Sequence, residues 1–178
     1  MTMSLIETQT LQERIVEATM AHVGRQDFPG VCGDLVRLVL KDAGCEVTGR
    51  VRDIGEPIEL KDAGPDDLLY NYDTQGNATA ASIIISGRAR ITIEFPEREF
   101  SYDGLLYVSV WKIVRGQNRG CVQIRDISID SFHYAGARRI KEPGPMGRIV
   151  LREELQARIV KAASYCESGW PKRIEYVV

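Results

Sequence analysis

Cys32 is the residue of this chain whose position is best suited to chemistry. It follows the turn Phe28-Pro29-Gly30 and falls in the first turn of a predicted helix. Backbone N–H groups without partners and the positive end of the helix dipole stabilise a thiolate at such a position. Cys32 is therefore the candidate nucleophile of a thiol hydrolase. The alternative is a structural role, in which Cys32 packs as a small apolar side chain beside Val36 and Val39.

A cysteine nucleophile needs a general base, and the chain has two histidines, His22 and His133. His133 is the preferred base, because it lies in Asp130-Ser-Phe-His-Tyr134 at the end of an irregular strand, where a side chain can reach a cleft. His22 falls on the apolar face of the first predicted helix, which favours a structural role. A structural role is also the alternative for His133. Three residues remain open as the group that orients the imidazole: Asp126, Asp130 and Glu142.

The densest basic region is Arg138-Arg139-Ile-Lys141, which Tyr134 precedes. Three more arginines lie upstream of it: Arg115, Arg119 and Arg125. Such a region could contact phosphate or an acidic partner, although it is more often a solvated face. The sequence argues against nucleic-acid binding, because the net charge is −2 and no groove-reading motif is present.

The other conspicuous residue types are interpreted as structural. Asp66 and Asp67 are interpreted as solvated residues before a strand, because no second carboxylate accompanies them for acid–base work. Four aromatic residues are interpreted as core residues rather than as a stacking platform: Trp111, Trp170, Tyr107 and Phe132. The sequence has neither a glycine-rich phosphate-binding motif nor a Cys-x-x-Cys pair, so we predict no cofactor and no metal.

Three helices are predicted to position these residues. Thr10-Leu-Gln-Glu13 has the capping-box pattern, and apolar residues at helical spacing follow it as far as Gly24. The second helix is predicted from about Val31 to Ala43, packed against the first through a short loop. The third has its apolar stripe from Leu151 to Cys166 and ends near Gly169.

Strands are predicted through the middle of the chain. Leu68 to Tyr72 is the first, and the strands from Ala81 to Ile85 and from Ala89 to Phe95 are predicted to form a hairpin through Ser86-Gly87. Leu105 to Val114 is apolar on both faces, which predicts a central strand that pairs with this hairpin. Two further strands are predicted: Cys121 to Ile124 and Arg173 to Val178.

Two irregular segments are also predicted. Thr48 to Asp66 is rich in glycine, proline and charge, which indicates a long surface connection with one short strand. The apolar phase then slips between Ile124 and Ile127, which predicts a bulge or a bend near Arg125 and Asp126, where the strand changes direction.

The composition is that of an ordinary globular domain. The chain has 178 residues, of which 44 % are hydrophobic and 27 % charged, so we predict a single domain over residues 1–178. The fold is predicted to be α+β, with two N-terminal helices on a mainly antiparallel sheet of five to six strands and a third helix near the C-terminus.

The chain shows no signal peptide and no apolar stretch of membrane-spanning length. We therefore expect a soluble protein that is cytoplasmic or is exported by a route needing no N-terminal signal. The four cysteines are widely spaced and are expected to be free thiols in a reducing compartment.

The first part of the chain resembles the NlpC-type cell-wall cysteine peptidases, a papain-like family of bacteria and phages. Ile15 to Gly24 is similar to the family's opening helix, which ends in Val-Gly. Cys32-Gly-Asp-Leu-Val36 and the helix that continues to Gly44 resemble the element that carries the family's nucleophile. The resemblance implies a papain-like fold in which Cys32 is the nucleophile.

The resemblance continues into the first two predicted strands, with two departures. Pro65-Asp66-Asp67-Leu68-Leu69 is similar to the segment that leads into the family's first strand, with Asp66 where the family has glycine. Ser82 to Gly87 resembles the second strand, and the family's histidine would fall at Ala81. The resemblance therefore carries over no general base, and a member without this histidine would bind rather than cleave.

Two functional hypotheses follow. In the first, the chain is a cysteine hydrolase that cleaves an amide or peptide bond through a Cys32–His133 dyad, and the resemblance implies a cell-wall peptide as substrate. In the second, it is a non-catalytic binding or regulatory domain on a peptidase-like scaffold, with a peptide or protein partner. The sequence specifies no oligomeric state.

Overall fold

The computed structural model describes residues 10–72, 74–112, 120–131, 135–140, 151–164 and 171–177. These residues form an α+β fold, as predicted. The helices are α1 (Leu11–Met20), α2 (Cys32–Asp42) and α3 (Glu153–Ser164). The strands are β1 (Glu56–Ile58), β2 (Leu68–Tyr72), β3 (Ala78–Ile84), β4 (Ala89–Glu94), β5 (Glu99–Lys112), β6 (Gly120–Ser128), β7 (Ala135–Arg139) and β8 (Lys172–Tyr176). None of the helices in these ranges is long and apolar enough to cross a membrane.

All strand pairs in the described sheet are antiparallel. The strands follow the order β1-β7-β2-β3-β5-β4-β8, and β6 pairs with β5. The sheet has eight strands where five to six were predicted. The sequence pattern missed β7, whose residues Ala-Gly-Ala-Arg-Arg carry little of the apolar alternation that identifies a strand.

The predicted hairpin at Ser86-Gly87 is wrong. Both β3 and β4 pair with β5, along the same side of it. Ile84 pairs with Tyr107 and Ala89 pairs with Gly104. The chain therefore advances five residues from β3 to β4 while β5 advances three, which leaves two extra residues between the paired positions. The buried Ser86 hydroxyl accepts the Leu106 N–H at 2.9 Å and replaces a ladder hydrogen bond. A Ser-Gly pair that resembles a turn therefore forms an interruption in one long strand.

Of the two alternatives near Arg125 and Asp126, the bulge is wrong. The register between β5 and β6 is constant from Gly104↔Ser128 to Lys112↔Gly120. Ile124 packs on the helix side of the sheet, whereas Ile127 packs against a second core on the opposite face. The apolar phase slips because the buried face of β6 changes, and the backbone remains regular.

The helices cover one face of the sheet and build the larger core with it. Its fully buried members include Ile15 of α1, Leu35 of α2, Leu155 of α3 and the inward residues of β3 and β5. Burial of each such side chain contributes about 1.5–3 kcal/mol to stability. The opposite core is smaller: its buried residues are Leu60, Ala63, Leu69, Ile84, Leu105, Ala135 and Ala137. Central strand β5 contributes to both cores, as its apolar pattern predicted.

The segment predicted as a long surface connection is partly buried. It contains two 3-10 turns, Val51–Asp53 and Leu60–Asp62, and the short strand β1. The interpretation of Asp66 and Asp67 as solvated residues is wrong, because both are buried. The Asp67 carboxylate accepts the Arg139 guanidinium at 3.0 Å and 3.1 Å and the Gly64 N–H at 2.8 Å. A buried ion pair thus joins this segment to β7.

Two arginines of the predicted basic region hold this segment in place. The Arg138 guanidinium donates to the Ile54 carbonyl oxygen at 2.9 Å and to the Gly55 carbonyl oxygen at 2.6 Å. Arg139 bonds Asp67 and the Asp62 carbonyl oxygen. Gly55 has φ +76°, and a side chain there would meet the Arg139 backbone. Arg138 and Arg139 therefore bond to the protein itself, and neither forms a solvated basic face. Lys141 lies outside the described residues.

Candidate functional site

Cys32 is the first residue of α2, where the sequence placed it, and its side chain is partly buried. Its sulfur contacts both backbone groups of Val110 in the centre of the sheet. The Val110 N–H donates to Sγ at 3.4 Å, and the thiol donates to the Val110 carbonyl oxygen at 3.5 Å. Cys32 therefore links the start of α2 to β5 through the contacts of its sulfur with both Val110 backbone groups.

The thiol occupies a gap in the sheet. Strands β3 and β5 pair only at Ile83↔Val108 and Ile84↔Tyr107. Two further steps in that register would place Ala81 opposite Val110, but the described pairing stops before that point. The Cys32 sulfur forms hydrogen bonds with the Val110 N–H and carbonyl oxygen. Continued pairing with β3 would have given these two backbone groups their partners. Ala81, where the resemblance would place a histidine, is the residue of β3 that faces this gap in register.

The start of α2 already carries a negative charge. The Asp34 carboxylate accepts the Val31 N–H at 2.8 Å, two residues from Cys32. It packs so closely over Gly30 that a Cβ there would lie 2.5 Å from the carboxylate oxygen. An acidic side chain in the first turn interacts favourably with the helix dipole. In this structure Asp34 makes the interaction that the sequence analysis assigned to a Cys32 thiolate.

The two histidines differ in what the structure describes of them. His22 Nε2 lies 3.5 Å from Asp42 Oδ2, at the last residue of α2. Because α2 rises about 1.5 Å per residue, Asp42 is about 15 Å along the axis from Cys32, which puts His22 beyond hydrogen-bond reach of the thiol. His133 lies outside the described residues.

Of the three open orienting residues, Asp126 has a described partner. Its carboxylate accepts Lys172 Nζ, and both side chains are mostly buried. The Asp130 backbone N–H donates to Ser128 Oγ at 3.2 Å in an exposed turn. Glu142 lies outside the described residues.

A second group of polar and aromatic side chains lies on the face of β5 and β6 that points away from the helices. Tyr107 and Trp111 alternate with the inward residues of β5, and Arg125 of β6 is the register partner of Tyr107. The Arg125 guanidinium lies 4.1 Å from the centroid of the Trp111 ring. Trp111 is 51 % exposed, so its interpretation as a core aromatic is wrong. Phe132 and Trp170 lie outside the described residues.

Tyr107 is the partly buried member of this group. Burial raises the pKa of the Tyr107 phenol, whereas the charge of Arg125 and its hydrogen bond to the phenol lower it. No local pattern in the sequence indicates this group, because only the β5–β6 register brings Arg125 beside Tyr107 and Trp111.

The described residues contain no group of three His, Cys, Asp or Glu side chains that could hold a metal ion. Comparison of the chain with models of protein families, with curated proteins and with solved structures finds no match.

Proposed function

We propose that this chain is a non-catalytic binding or regulatory domain in which Cys32 has a structural role. The observation that carries the proposal is the pair of hydrogen bonds between the Cys32 sulfur and both backbone groups of Val110. A nucleophilic cysteine needs a thiolate whose sulfur is available to the substrate. The Cys32 sulfur is instead engaged with the sheet, and Asp34 places a negative charge at the start of the same helix.

A cysteine hydrolase is the second candidate, and one observation favours it. Cys32 is the first residue of α2 and its side chain is partly accessible, which is the placement a thiol nucleophile uses. In this candidate, Cys32 attacks the carbonyl carbon of an amide or peptide bond, and His133 transfers the proton to the leaving amine. The resemblance to NlpC-type peptidases suggests a cell-wall peptide as the substrate.

Competitive alkylation distinguishes the two candidates. The protein is treated with limiting iodoacetamide at about pH 6, where thiolates react in preference to thiols, and the modified cysteines are counted by mass spectrometry of peptides. Glutathione in the same reaction is the reference for an ordinary thiol, and Cys45 is an internal reference of low reactivity, because burial raises the pKa of its thiol. The structural role predicts that Cys32 reacts no faster than glutathione. Rapid alkylation confined to Cys32 would refute the proposal and favour the hydrolase.

A further inference from the structure

Arg125 differs from most arginines in the described ranges. Those arginines typically donate to a carboxylate or to a backbone carbonyl, as Arg90 does to Asp103 and Arg139 to Asp67. The Arg125 guanidinium instead contacts two aromatic side chains, the ring of Trp111 and the phenol of Tyr107. No carboxylate bonds to it in the part of the chain that the structure describes. Its positive charge is therefore held in place without being neutralised.

The strand register explains how the guanidinium is fixed. Arg125 lies opposite Tyr107 on the neighbouring strand, and Trp111 lies four residues further along β5 on the same face. The Arg125 and Trp111 side chains meet above Ser109 and Gln123. These two residues pair with each other and lie between Arg125 and Trp111 in the register. The guanidinium lies against the Trp111 ring, which limits the positions that the Arg125 side chain can adopt. A guanidinium ordered in this way loses little conformational freedom when it binds a planar anion through two hydrogen bonds.

Ser109 provides an independent observation at the same place. Its side chain lies on the same face as Tyr107 and Trp111, because side chains alternate along β5. Ser109 is only 7 % exposed, and its Oγ is buried without a hydrogen-bond partner. Buried hydroxyl groups without a partner are rare in folded proteins. A ligand oxygen that displaces the side chains covering Ser109 Oγ would give this hydroxyl a partner.

We infer that Arg125, Trp111 and Ser109 form a binding site for a small ligand that carries a carboxylate or a phosphate group. Two oxygens of the ligand accept from Arg125, in the bidentate geometry that arginine forms with these groups. The Ser109 hydroxyl donates to the same group. The exposed part of the Trp111 ring packs against the remainder of the ligand. This inference rests on the proposed function, because it names the class of ligand that such a binding domain takes.

The first experiment measures binding through Trp111. The chain has two tryptophans, so the Trp170→Phe variant reports Trp111 alone. N-acetylglycine, as a simple carboxylate, and inorganic phosphate are titrated separately, with chloride holding the ionic strength constant. A saturable fluorescence change is expected with at least one probe, and the probe that binds more tightly identifies the chemical class. No saturable change with either probe, or an equal change with chloride, would overturn the inference.

The indole N–H resonances of the unsubstituted protein provide a second measurement of the same titrations. One of the two resonances is expected to shift until saturation. This measurement holds even where Trp170→Phe perturbs the fold. Two unchanged resonances would contradict the inference.

The second experiment locates the site with substitutions. Arg125→Gln is expected to weaken binding by about tenfold or more, since it removes the charge-assisted pair of hydrogen bonds. Ser109→Ala is expected to weaken binding by about threefold, as loss of a single neutral hydrogen bond does. Arg90→Gln is the matched control, because Arg90 lies on strand β4 and pairs with Asp103. The control is expected to bind as the unsubstituted protein does.

The Arg125→Lys variant is a second test of the site in case Arg125→Gln does not fold. Lysine keeps the positive charge but does not form the bidentate pair, so about a fivefold loss of affinity is expected. Unchanged affinity in the folded Arg125 variants, or an equal loss in Arg90→Gln, would overturn the site. Failure here is distinguishable from failure of the proposed function, because the alkylation of Cys32 does not depend on Arg125.

Discussion

The sulfur of Cys32 satisfies two backbone groups that would otherwise lie at the gap between β3 and β5. Polar backbone groups in a sheet interior cost stability when they have no partner. A cysteine suits this gap because its thiol is small and both donates and accepts, although each of its hydrogen bonds is weak. The residue that the sequence marks as a nucleophile thus also explains how α2 is joined to the sheet.

The first prediction concerns this join. Cys32→Ala removes the partner of the Val110 N–H and carbonyl oxygen, and we expect the free energy of unfolding to fall by about 1–2 kcal/mol. Cys32→Ser retains a donor and an acceptor and should lose less. Urea denaturation of both variants measures the difference, with Cys45→Ala as the control for loss of a partly exposed thiol. Equal losses in the alanine and serine variants would show that the hydrogen bonds contribute nothing.

The second prediction concerns the charge beside the thiol. Asp34→Asn removes the carboxylate from the first turn of α2, so the helix dipole is left to act on Cys32. An interaction of this kind is worth about 0.3–1 kcal/mol, and the alkylation rate of Cys32 should therefore rise by about two- to fivefold. Asp42→Asn, at the other end of the same helix, is the control. A rate that rises equally in both variants would exclude a local effect of Asp34.

At the residue scale, the sequence could place Cys32 but could not identify its contacts. The Pro-Gly turn and the apolar periodicity of α2 are local signals, and they predicted that Cys32 begins the helix. Its partner Val110 is 78 residues away in the chain, and no local pattern identifies it. The assignment of Trp111 to the core was wrong because local sequence also does not show which residues of the folded sheet cover its ring.

Strands β3 and β4 act as one interrupted strand along β5, and the interruption depends on Ser86. Its side chain is fully buried and accepts the Leu106 N–H. We expect Ser86→Ala to lower the free energy of unfolding by about 1–3 kcal/mol, because a buried N–H is left without a partner. Chemical denaturation measures the change. Ser164→Ala, on an exposed part of α3, is the control, and a similar loss in both would argue against the role assigned to Ser86.

The ion pair between Asp67 and Arg139 joins the segment before β2 to strand β7. Asp67 is 1 % exposed, whereas the side chain of Arg139 is 37 % exposed and partly screened by water. We expect Asp67→Asn to cost about 2–3 kcal/mol, less than the loss of a fully buried pair. Glu94→Gln removes one partner of Arg173 at the surface and should cost under about 1 kcal/mol. Thermal unfolding compares them, and similar losses would mean that burial adds nothing to this pair.

At the element scale, periodicity predicted the helices well and the strand connections poorly. The capping box at Thr10 and the apolar stripes of α1, α2 and α3 depend on neighbours within a few residues. The hairpin at Ser86-Gly87 and the bulge at Arg125 were inferred from equally local patterns, but both depend on pairing across the sheet. The pairing of β3, β4 and β6 with β5 determines the structure at both places. This pairing cannot be predicted from local patterns in a single sequence.

For the whole molecule, β5 explains why the α+β class was predictable and why the number of strands was not. Its apolar residues alternate between the helix-side core and the opposite core, so a strand buried on both faces could be identified from composition. Short strands such as β1 and β7 add few large apolar side chains to the smaller core, and Arg138 and Arg139 bond to residues beside them. Hydrophobic patterns are therefore weak in the region that these arginines organise.

One buried and one partly buried tyrosine should make the stability of the whole chain depend on alkaline pH. Burial is the main cause that raises the pKa of Tyr70 and of Tyr176 from 10.0 to about 12. The folded state therefore holds these protons more tightly than the unfolded state does. Their contribution to stability is complete below pH 10 and is lost as the pH rises towards 12.

We expect the free energy of unfolding to decline across this interval, and the decline to be smaller in a Tyr70→Phe, Tyr176→Phe double variant. Each variant is compared with itself at neutral pH, because Tyr70 also donates to the Val51 carbonyl oxygen and its loss lowers stability at every pH. Urea denaturation at a series of alkaline pH values gives the measurement, and phenolate absorbance follows the ionisation directly. An equal decline in both proteins would mean that other groups govern the alkaline limit and that the two phenols ionise alike in the folded and unfolded chains.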